Sequence, residues 1–239
     1  MMLKLSRMPS GEPEIFASIQ GEGASAGTPS VFVRLSLCNL ACSWCDTAYT
    51  WDWKRYDPKV EIVEAQVCDV VARVESLAGG AIRNAVLTGG EPLQQQGQLG
   101  ALATALKSRG FRLEVETNGT FVPDETLARA IDQWNVSPKL ANSGNSCEKR
   151  ERPEAMEWFA ERPNAYFKLV MTDSNNLAEA DELLGRYAVP PERVLLMAEG
   201  RAPSVQLDRS RWLVGACQER GYRYTPRLHV LLWGDERGR

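Results

Sequence analysis

Segments with strand-like and helix-like spacing of apolar residues alternate along most of the chain. The predicted strands are short runs of β-branched and other apolar residues, at 31–37, 85–87, 112–116, 134–136, 166–171 and 193–197. The predicted helices repeat apolar residues at three- and four-residue intervals, at 60–77, 97–109, 124–132, 153–161, 176–187 and 208–220. Because a crossover helix returns the chain to the same end of a sheet, this alternation predicts a parallel sheet flanked by helices.

Six strand–helix units are fewer than the eight that close a barrel. We therefore expect an α/β fold in which about six parallel strands form a partial, open β/α barrel. No linker or low-complexity tract interrupts the chain, so residues 1–239 are predicted to form one domain. Residues 227–233 are predicted to add an edge strand, and an unpaired sheet edge leads us to expect a homodimer.

Charge and hydrophobicity exclude several classes of partner. The net charge is −3 at pH 7, which is too small to indicate binding to nucleic acid or to a membrane surface. No apolar run approaches the roughly 18 residues of a membrane span, and residues 1–11 lack the apolar core of a signal peptide. We therefore expect a cytoplasmic location.

Three of the six cysteines lie within eight residues, in the pattern C-x3-C-x2-C: Cys38, Cys42 and Cys45. Three thiolates on one loop can supply three of the four iron ligands of a [4Fe-4S] cluster, which leaves one iron open to a small molecule. A structural zinc site is the alternative, but zinc needs four ligands and neither His nor a fourth Cys lies nearby. The other cysteines are predicted to be small core residues or inert thiols: Cys68, Cys147 and Cys217.

Polar and glycine-rich clusters follow four of the predicted strands, at 38–45, 88–92, 116–120 and 137–139. The carboxyl ends of parallel strands lie on one rim of the sheet, where such folds keep their active sites. In the second cluster, Gly89 and Gly90 allow a ligand to approach the backbone, and Glu91 offers an acceptor to an ammonium group. The alternative for this cluster is a plain strand-to-helix turn with Pro92 at the helix start.

The cysteine spacing, followed one β/α unit later by the Gly-Gly-Glu segment, resembles the radical S-adenosylmethionine (SAM) superfamily. The resemblance implies that SAM binds the open iron and that an electron from the cluster releases a 5′-deoxyadenosyl radical. It also implies an external electron donor of the flavodoxin or ferredoxin type. The residues implied to bind SAM are Trp44, Cys45, Asp46, Gly90, Glu91, Glu116, Ser137, Pro138 and Lys139.

Residues 15–23 (IFASIQGEG), Arg34 and the Cys45-Asp46-Thr47 segment are similar to the 7-carboxy-7-deazaguanine synthase family. The similarity continues to residues 227–229. It implies a carbon–nitrogen lyase of queuosine and 7-deazapurine biosynthesis that contracts the ring of 6-carboxy-5,6,7,8-tetrahydropterin with loss of ammonia. It also implies that Thr47 ligates Mg²⁺. The residues implied to contact the pterin are Ile19, Gln20, Gly21, Glu22, Arg34 and Thr88.

These implied contacts suit the chemistry, and no residue is assigned as a catalytic acid or base. Arg34 can pair bidentately with a carboxylate, and Gln20 offers both a donor and an acceptor to a pterin edge. The only histidine, His229, is expected to be a hydrogen-bonded structural residue.

Two other functions fit part of the pattern. A glycyl-radical-enzyme activase shares the cysteine spacing and the Gly-Gly-Glu motif, but it has no reason to carry the Gln-Gly-Glu-Gly segment at 20–23. An iron–sulfur electron carrier normally closes its cluster with four cysteines. The sequence therefore favours the enzyme that acts on a small pterin.

Overall fold

One sheet of ten strands organises the protein, whose computed structural model describes residues 1–239. The strands are β1 (Met2–Ser6), β2 (Ile15–Ile19), β3 (Pro29–Leu35), β4 (Ile62–Gln66), β5 (Asn84–Gly89), β6 (Arg112–Thr117), β7 (Gln133–Val136), β8 (Ala165–Met171), β9 (Val194–Ala198) and β10 (Arg223–Thr225). The α-helices are α1 (Pro58–Glu61), α2 (Val67–Ala78), α3 (Gln96–Lys107), α4 (Glu125–Ala130), α5 (Cys147–Arg150), α6 (Pro153–Ala160), α7 (Asn176–Arg186), α8 (Pro203–Arg220) and α9 (Leu228–Trp233). None of these helices combines the length and apolarity needed to cross a bilayer.

The strand order is β10-β9-β8-β7-β6-β5-β3-β1-β4, with β2 paired to β3 beside this path. All neighbours from β3 to β10 are parallel, whereas β1, β2 and β4 pair antiparallel. The end strands β10 and β4 do not pair with each other, so the barrel stays open. The predicted partial β/α barrel is confirmed, and β10 adds a seventh parallel strand to the expected six.

The two-residue period of the strands divides each one between the core and the opposite face of the sheet. In β3, Val31 and Val33 are fully buried in the apolar core. Arg34, the next residue after Val33, lies on the opposite face of the sheet and lines the cavity. In β8, Leu169 lies in the core and Lys168 lies on the opposite face. Polar residues on alternate strand positions therefore meet inside the open barrel.

The predicted helix over 60–77 is wrong in its first part. The structure has the short helix α1, then strand β4, and only then helix α2. Five residues of β4 pair with β1, from Met2 opposite Gln66 to Ser6 opposite Ile62. The backbone ladder to a distant segment overrides the local helical spacing, as tertiary contacts commonly do.

The predicted edge strand over 227–233 is also wrong. Most of this segment is helix α9, and the sheet ends instead at β10. A short continuous apolar run does not distinguish a strand from a buried helix by its spacing. Here the backbone N–H of Leu228 donates to the carbonyl of Gly21 at 2.9 Å, which anchors α9 against the loop after β2.

Candidate active site

The carboxyl ends of the parallel strands open into one cavity. In the parallel register Arg34 lies beside Thr88, and both line the cavity. All of the site residues predicted from the sequence line it except Glu91 and Pro138. Segments far apart in the chain therefore converge on one place.

Glu91 lies beneath the cavity wall, with no exposed surface. Its carboxylate accepts hydrogen bonds from the backbone N–H groups of Leu93 (2.9 Å) and Asn118 (2.7 Å) and from the hydroxyl of Thr117 (2.9 Å). Burial raises the pKa of Glu91 above its usual value, and these donors partly offset that rise. In this arrangement the carboxylate holds the end of β5 to the end of β6.

The paired glycines, Gly89 and Gly90, are in close contact with the main chain of another segment. A Cβ on Gly89 would lie 2.0 Å from the carbonyl oxygen of Leu35, and one on Gly90 would lie 2.1 Å from that of Leu37. Leu37 has a φ of 79°, an uncommon conformation for a leucine, directly before Cys38. The two glycines therefore allow the cysteine loop to sit directly on the end of β5.

We expect Gly90→Ala to destabilise the protein by about 1–3 kcal/mol, since the new methyl group meets backbone that moves only with the cysteine loop. Its iron content should fall as well. The matched control is Gly97→Ala near the start of α3, where a Cβ would meet nothing within 4 Å. Urea unfolding and iron analysis measure both variants, and equal stability of the two would contradict this account.

The three clustered cysteines present free thiols to the cavity. Cys42 Sγ accepts an N–H from Asn145 at 3.3 Å, and Cys45 Sγ accepts one from the indole of Trp51 at 3.4 Å. Burial raises the pKa of the Cys38 thiol to about 12, so binding of a metal must drive its ionisation. Cys38 Sγ also accepts an N–H, from Asn118 at 4.0 Å, and three thiols in one cavity, each with an N–H donor, fit a cluster with one open iron.

The other three cysteines lie outside the cavity lining. Cys217 is buried in the core, as expected. Cys68 and Cys147 are exposed on α2 and α5, so of the two expected roles, core residue or inert thiol, only that of an inert thiol stays a prediction for them.

A network of buried charges lines the same cavity as the cysteines. Lys168 Nζ lies 2.6 Å from a carboxylate oxygen of Glu22 and 2.8 Å from one of Glu116. Arg227 Nε lies 2.9 Å from Glu22, and its Nη2 pairs with Asp46. The network thus joins the loop after β2, the strands β6 and β8 and the segment before α9.

The charges of this network are fixed by their neighbours. Burial alone would raise the pKa of Glu22, but Lys168 and Arg227 hold it well below its usual range. Burial would lower the pKa of Lys168, but the two glutamates hold it above its usual range. Burial raises the pKa of Glu116, which Lys168 only partly offsets. Glu22 and Lys168 are therefore charged at neutral pH.

His229 lies at the edge of the same network, where the sequence predicted only a structural role. Its Nε2 is 3.7 Å from Glu22 and 3.5 Å from Arg227 Nη2. Burial lowers the pKa of His229, so the ring is neutral at pH 7. A Cβ on Gly21 would lie 2.3 Å from His229 Nδ1, so glycine is required where the ring packs against the loop after β2.

Sequence reasoning assigned no role to Lys168 or Arg227. The one available signal for Lys168 is its position as the only charged residue in the strand AYFKLVM. Arg227 precedes the misassigned α9, and nothing in the local sequence indicates its two acidic partners.

Comparisons with known proteins agree with this geometry. Residues 33–142 match the model of the Radical SAM superfamily. The chain is 39% identical to the 7-carboxy-7-deazaguanine synthase of Pyrobaculum aerophilum over 228 residues, which cover 95% of this chain and 96% of that protein. It is 36% identical to the enzyme of the same name from Halobacterium salinarum, over 93% of this chain and 90% of that protein.

A solved structure supports the same relationship. The crystal structure of QueE from Escherichia coli superposes with a TM-score of 0.72 at 26% identity, covering 96% of this chain and 95% of that one. This match includes the open barrel and spans both chains almost completely. The chain is therefore a radical SAM enzyme and belongs to the 7-carboxy-7-deazaguanine synthase family.

Proposed function

We propose that this enzyme converts 6-carboxy-5,6,7,8-tetrahydropterin to 7-carboxy-7-deazaguanine with loss of ammonia, as a carbon–nitrogen lyase of queuosine and 7-deazapurine biosynthesis. The observation that carries the proposal is one cavity that joins three cysteine thiols to a buried, charged wall. When bound, a [4Fe-4S] cluster held by the three thiols, together with SAM, would supply radical chemistry at C6 of the pterin. The chain's own residues hold and orient the reactants.

We assign the cluster to Cys38, Cys42 and Cys45. The SAM side is the cavity wall next to them, with Trp44, Asp46, Gly90 and the 137–139 segment. Lys139 supports this assignment because its Nζ donates to Ser137 at 2.8 Å and lies 5.6 Å from the centre of the Trp44 ring. These contacts shape a polar surface beside the thiols.

The pterin side is the wall of buried charges. The amino-pyrimidine edge of a pterin carries N–H donors, which need acceptors once they leave water. Glu22 and Glu116 supply carboxylate oxygens there, and the side-chain amide of Gln20 donates to Glu116 at 3.1 Å. Thr88 and Arg34, side by side on neighbouring strands, face the same space. Glu116 is therefore suited to a contact with the substrate, in addition to the contact with SAM that the resemblance implies.

Arg34 should contribute to substrate binding without affecting the binding of SAM. Its side chain is 18% exposed, and its only hydrogen bond to protein uses Nε, which leaves both Nη groups for a carboxylate. Loss of one partner of a desolvated charge pair costs about 2–5 kcal/mol. Arg34→Ala should therefore weaken pterin binding by roughly 30-fold or more. Calorimetric titration with pterin and with SAM measures both affinities, and normal pterin binding would refute the assignment.

We assign the Mg²⁺ contact to Thr47, which lines the cavity two residues after Cys45. The alternative role is that Thr47 caps or hydrogen-bonds the end of the cysteine loop, although it makes no side-chain cap hydrogen bond to the short helical turn at 48–50. Its hydroxyl has one protein contact, with Cys45 Sγ at 3.6 Å. One threonine holds Mg²⁺ too weakly alone, so the substrate carboxylate and water must complete the shell.

Thr47→Ala should keep the cluster but lose most of the response to Mg²⁺. In the wild type, Mg²⁺ should lower the apparent KM for the pterin, and by linkage the pterin should tighten Mg²⁺ binding by the same factor. Thr47→Ser keeps the hydroxyl and should keep the response. An unchanged Mg²⁺ dependence in Thr47→Ala would leave this residue without a metal role.

The proposed reaction is tested by an anaerobic assay of the reconstituted enzyme with SAM, a reductant and 6-carboxytetrahydropterin. We expect 7-carboxy-7-deazaguanine by mass spectrometry and one ammonia per product. An activase would cleave SAM yet leave the pterin unchanged, and that result would contradict the proposal. A cluster spectrum insensitive to SAM would instead indicate an electron carrier.

Several further features stay predictions from the sequence: a single domain over 1–239, a cytoplasmic location, a flavodoxin- or ferredoxin-type donor and a homodimer. Exposed apolar side chains on α8 and α9, among them Leu207, Leu232 and Trp233, provide a surface for a second copy. Sedimentation equilibrium of the holoenzyme tests the dimer, because a monomer would have half the expected mass.

A further inference from the structure

The six residues after α9, at 234–239, lie back against the N-terminal part of the chain; we call them the tail. Asp235 pairs with Arg201 at 2.5 Å. Gly238 lies so close to Met8 that a Cβ there would be 2.5 Å from the Met8 Cε. The guanidinium carbon of Arg237 lies 3.6 Å from the centre of the Tyr49 ring. The tail is thus fixed at several points, and Arg237 is its most buried side chain with a charge partner.

Arg237 pairs with the carboxylate of Glu14, which has no contact with solvent. Its Nε donates to Glu14 at 2.9 Å and its Nη1 to Glu61 at 3.1 Å. The side chain of Glu14 is 0% exposed. The hydroxyl of Tyr49 lies 3.2 Å from both Glu14 oxygens. A carboxylate in such a place must be paired to stay charged, and the tail supplies one of its two cations.

The second cation on Glu14 is Arg34, whose Nε lies 2.6 Å from the other carboxylate oxygen. This bond holds the Nε edge of the Arg34 guanidinium against Glu14, and the two Nη groups have no hydrogen bond to the protein. A guanidinium binds a carboxylate through two parallel N–H bonds only when its plane is correctly oriented. The direction of Arg34 in the cavity therefore depends on how firmly Glu14 is held.

We propose that Arg237 is a positioning residue that fixes Glu14 and Tyr49, so that Arg34 presents its Nη groups to the substrate carboxylate. The proposal rests on the proposed function, because it requires a substrate that carries a carboxylate. Without Arg237, Glu14 keeps one cation, and Tyr49 loses the guanidinium on its ring. Arg34 then samples more orientations, and ordering it again opposes substrate binding. None of these residues is a hydrogen-bond partner of the three thiols, so we expect the cluster and SAM cleavage to be unaffected.

The test compares holoenzyme variants in the anaerobic assay. Arg237→Ala should raise the KM for the pterin by on the order of fivefold to tenfold, with kcat and SAM cleavage unchanged. Arg237→Lys keeps a cation near Glu14 and should recover part of the affinity. The matched control is Arg129→Ala, which removes an exposed pair with Glu125 and should leave the KM unchanged.

The double variant Arg34→Ala/Arg237→Ala separates positioning from direct contact. If Arg237 acts through Arg34, its removal changes nothing further once Arg34 is gone. Additive effects on KM, or a wild-type KM in Arg237→Ala, would overturn the proposal. A wild-type enzyme that forms no product from the pterin is a different result, since it refutes the proposed function itself.

Discussion

Replacing Lys168 with methionine is expected to destabilise the protein by about 3–5 kcal/mol and to abolish turnover. Lys168 is buried and is the cation shared by Glu22 and Glu116. Without it, Glu22 keeps Arg227, but Glu116 is left with only the amide of Gln20. A buried carboxylate without a cation either remains charged at high cost or takes up a proton. Either outcome changes the wall that we assign to the pterin.

Urea unfolding under anaerobic conditions measures this effect. The matched control is Lys107→Met, which removes a pair with Asp132 whose two side chains are 37% and 35% exposed. Pairs of this kind contribute about 0–1 kcal/mol, so this variant should differ little from the wild type. Equal stability of the two variants would contradict the buried network.

The loss in Lys168→Met should also depend on pH. With no lysine beside it, the folded-state pKa of Glu116 rises further above its unfolded value. A group with a raised folded pKa adds stability below its unfolded pKa and loses it as pH rises through the folded pKa. The variant should therefore be closest to the wild type at acidic pH. Adding Glu116→Gln, which removes the unpaired charge, should restore part of the stability near pH 7.

The parallel sheet and the place of the site follow from local sequence, because the carboxyl ends of parallel strands bring the segments that follow them to the same rim. The clusters after β3, β5, β6 and β7 were predicted to meet on one rim, and the structure brings them to one cavity. Cys38 and Gly90 are an example: their segments are separated by a helix in sequence, yet a Cβ on Gly90 would lie 3.0 Å from Cys38 Cβ.

What the sequence did not predict depends on contacts between distant segments. Strand β4 is held by β1, and helix α9 is held by the loop at Gly21. Lys168 is an intermediate case. The two-residue period that places Arg34 inside the barrel also places Lys168 there, so its face could be predicted. Its partners could not, because Glu22 is 146 residues away along the chain.

The same distinction applies to the glycines of the Gly-Gly-Glu segment. Their occurrence after a strand predicted that a ligand approaches the backbone closely, whereas the structure shows a close approach of protein main chain. Its partner is the backbone of Leu35 and Leu37, which no local pattern identifies. The sequence thus predicts where a close contact to these glycines occurs, because local backbone geometry decides it. Which residues make that contact depends on the whole fold.

The other large expected effect is the loss of the iron–sulfur cluster when one of the three clustered cysteines is replaced. Cys42 is one of three thiols on a cavity wall with no other cysteine in its lining, so no neighbouring thiol can replace it. Cys42→Ala should therefore lose the cluster and all SAM cleavage. Cys147→Ala changes an exposed thiol on α5, outside the cavity, and is the matched control.

Counting iron and sulfide per chain after anaerobic reconstitution tests the central assignment most directly. The wild type and Cys147→Ala should each hold about four of both, whereas Cys42→Ala should hold almost none. A full complement of iron and sulfide in Cys42→Ala would contradict the cluster assignment and the function built on it.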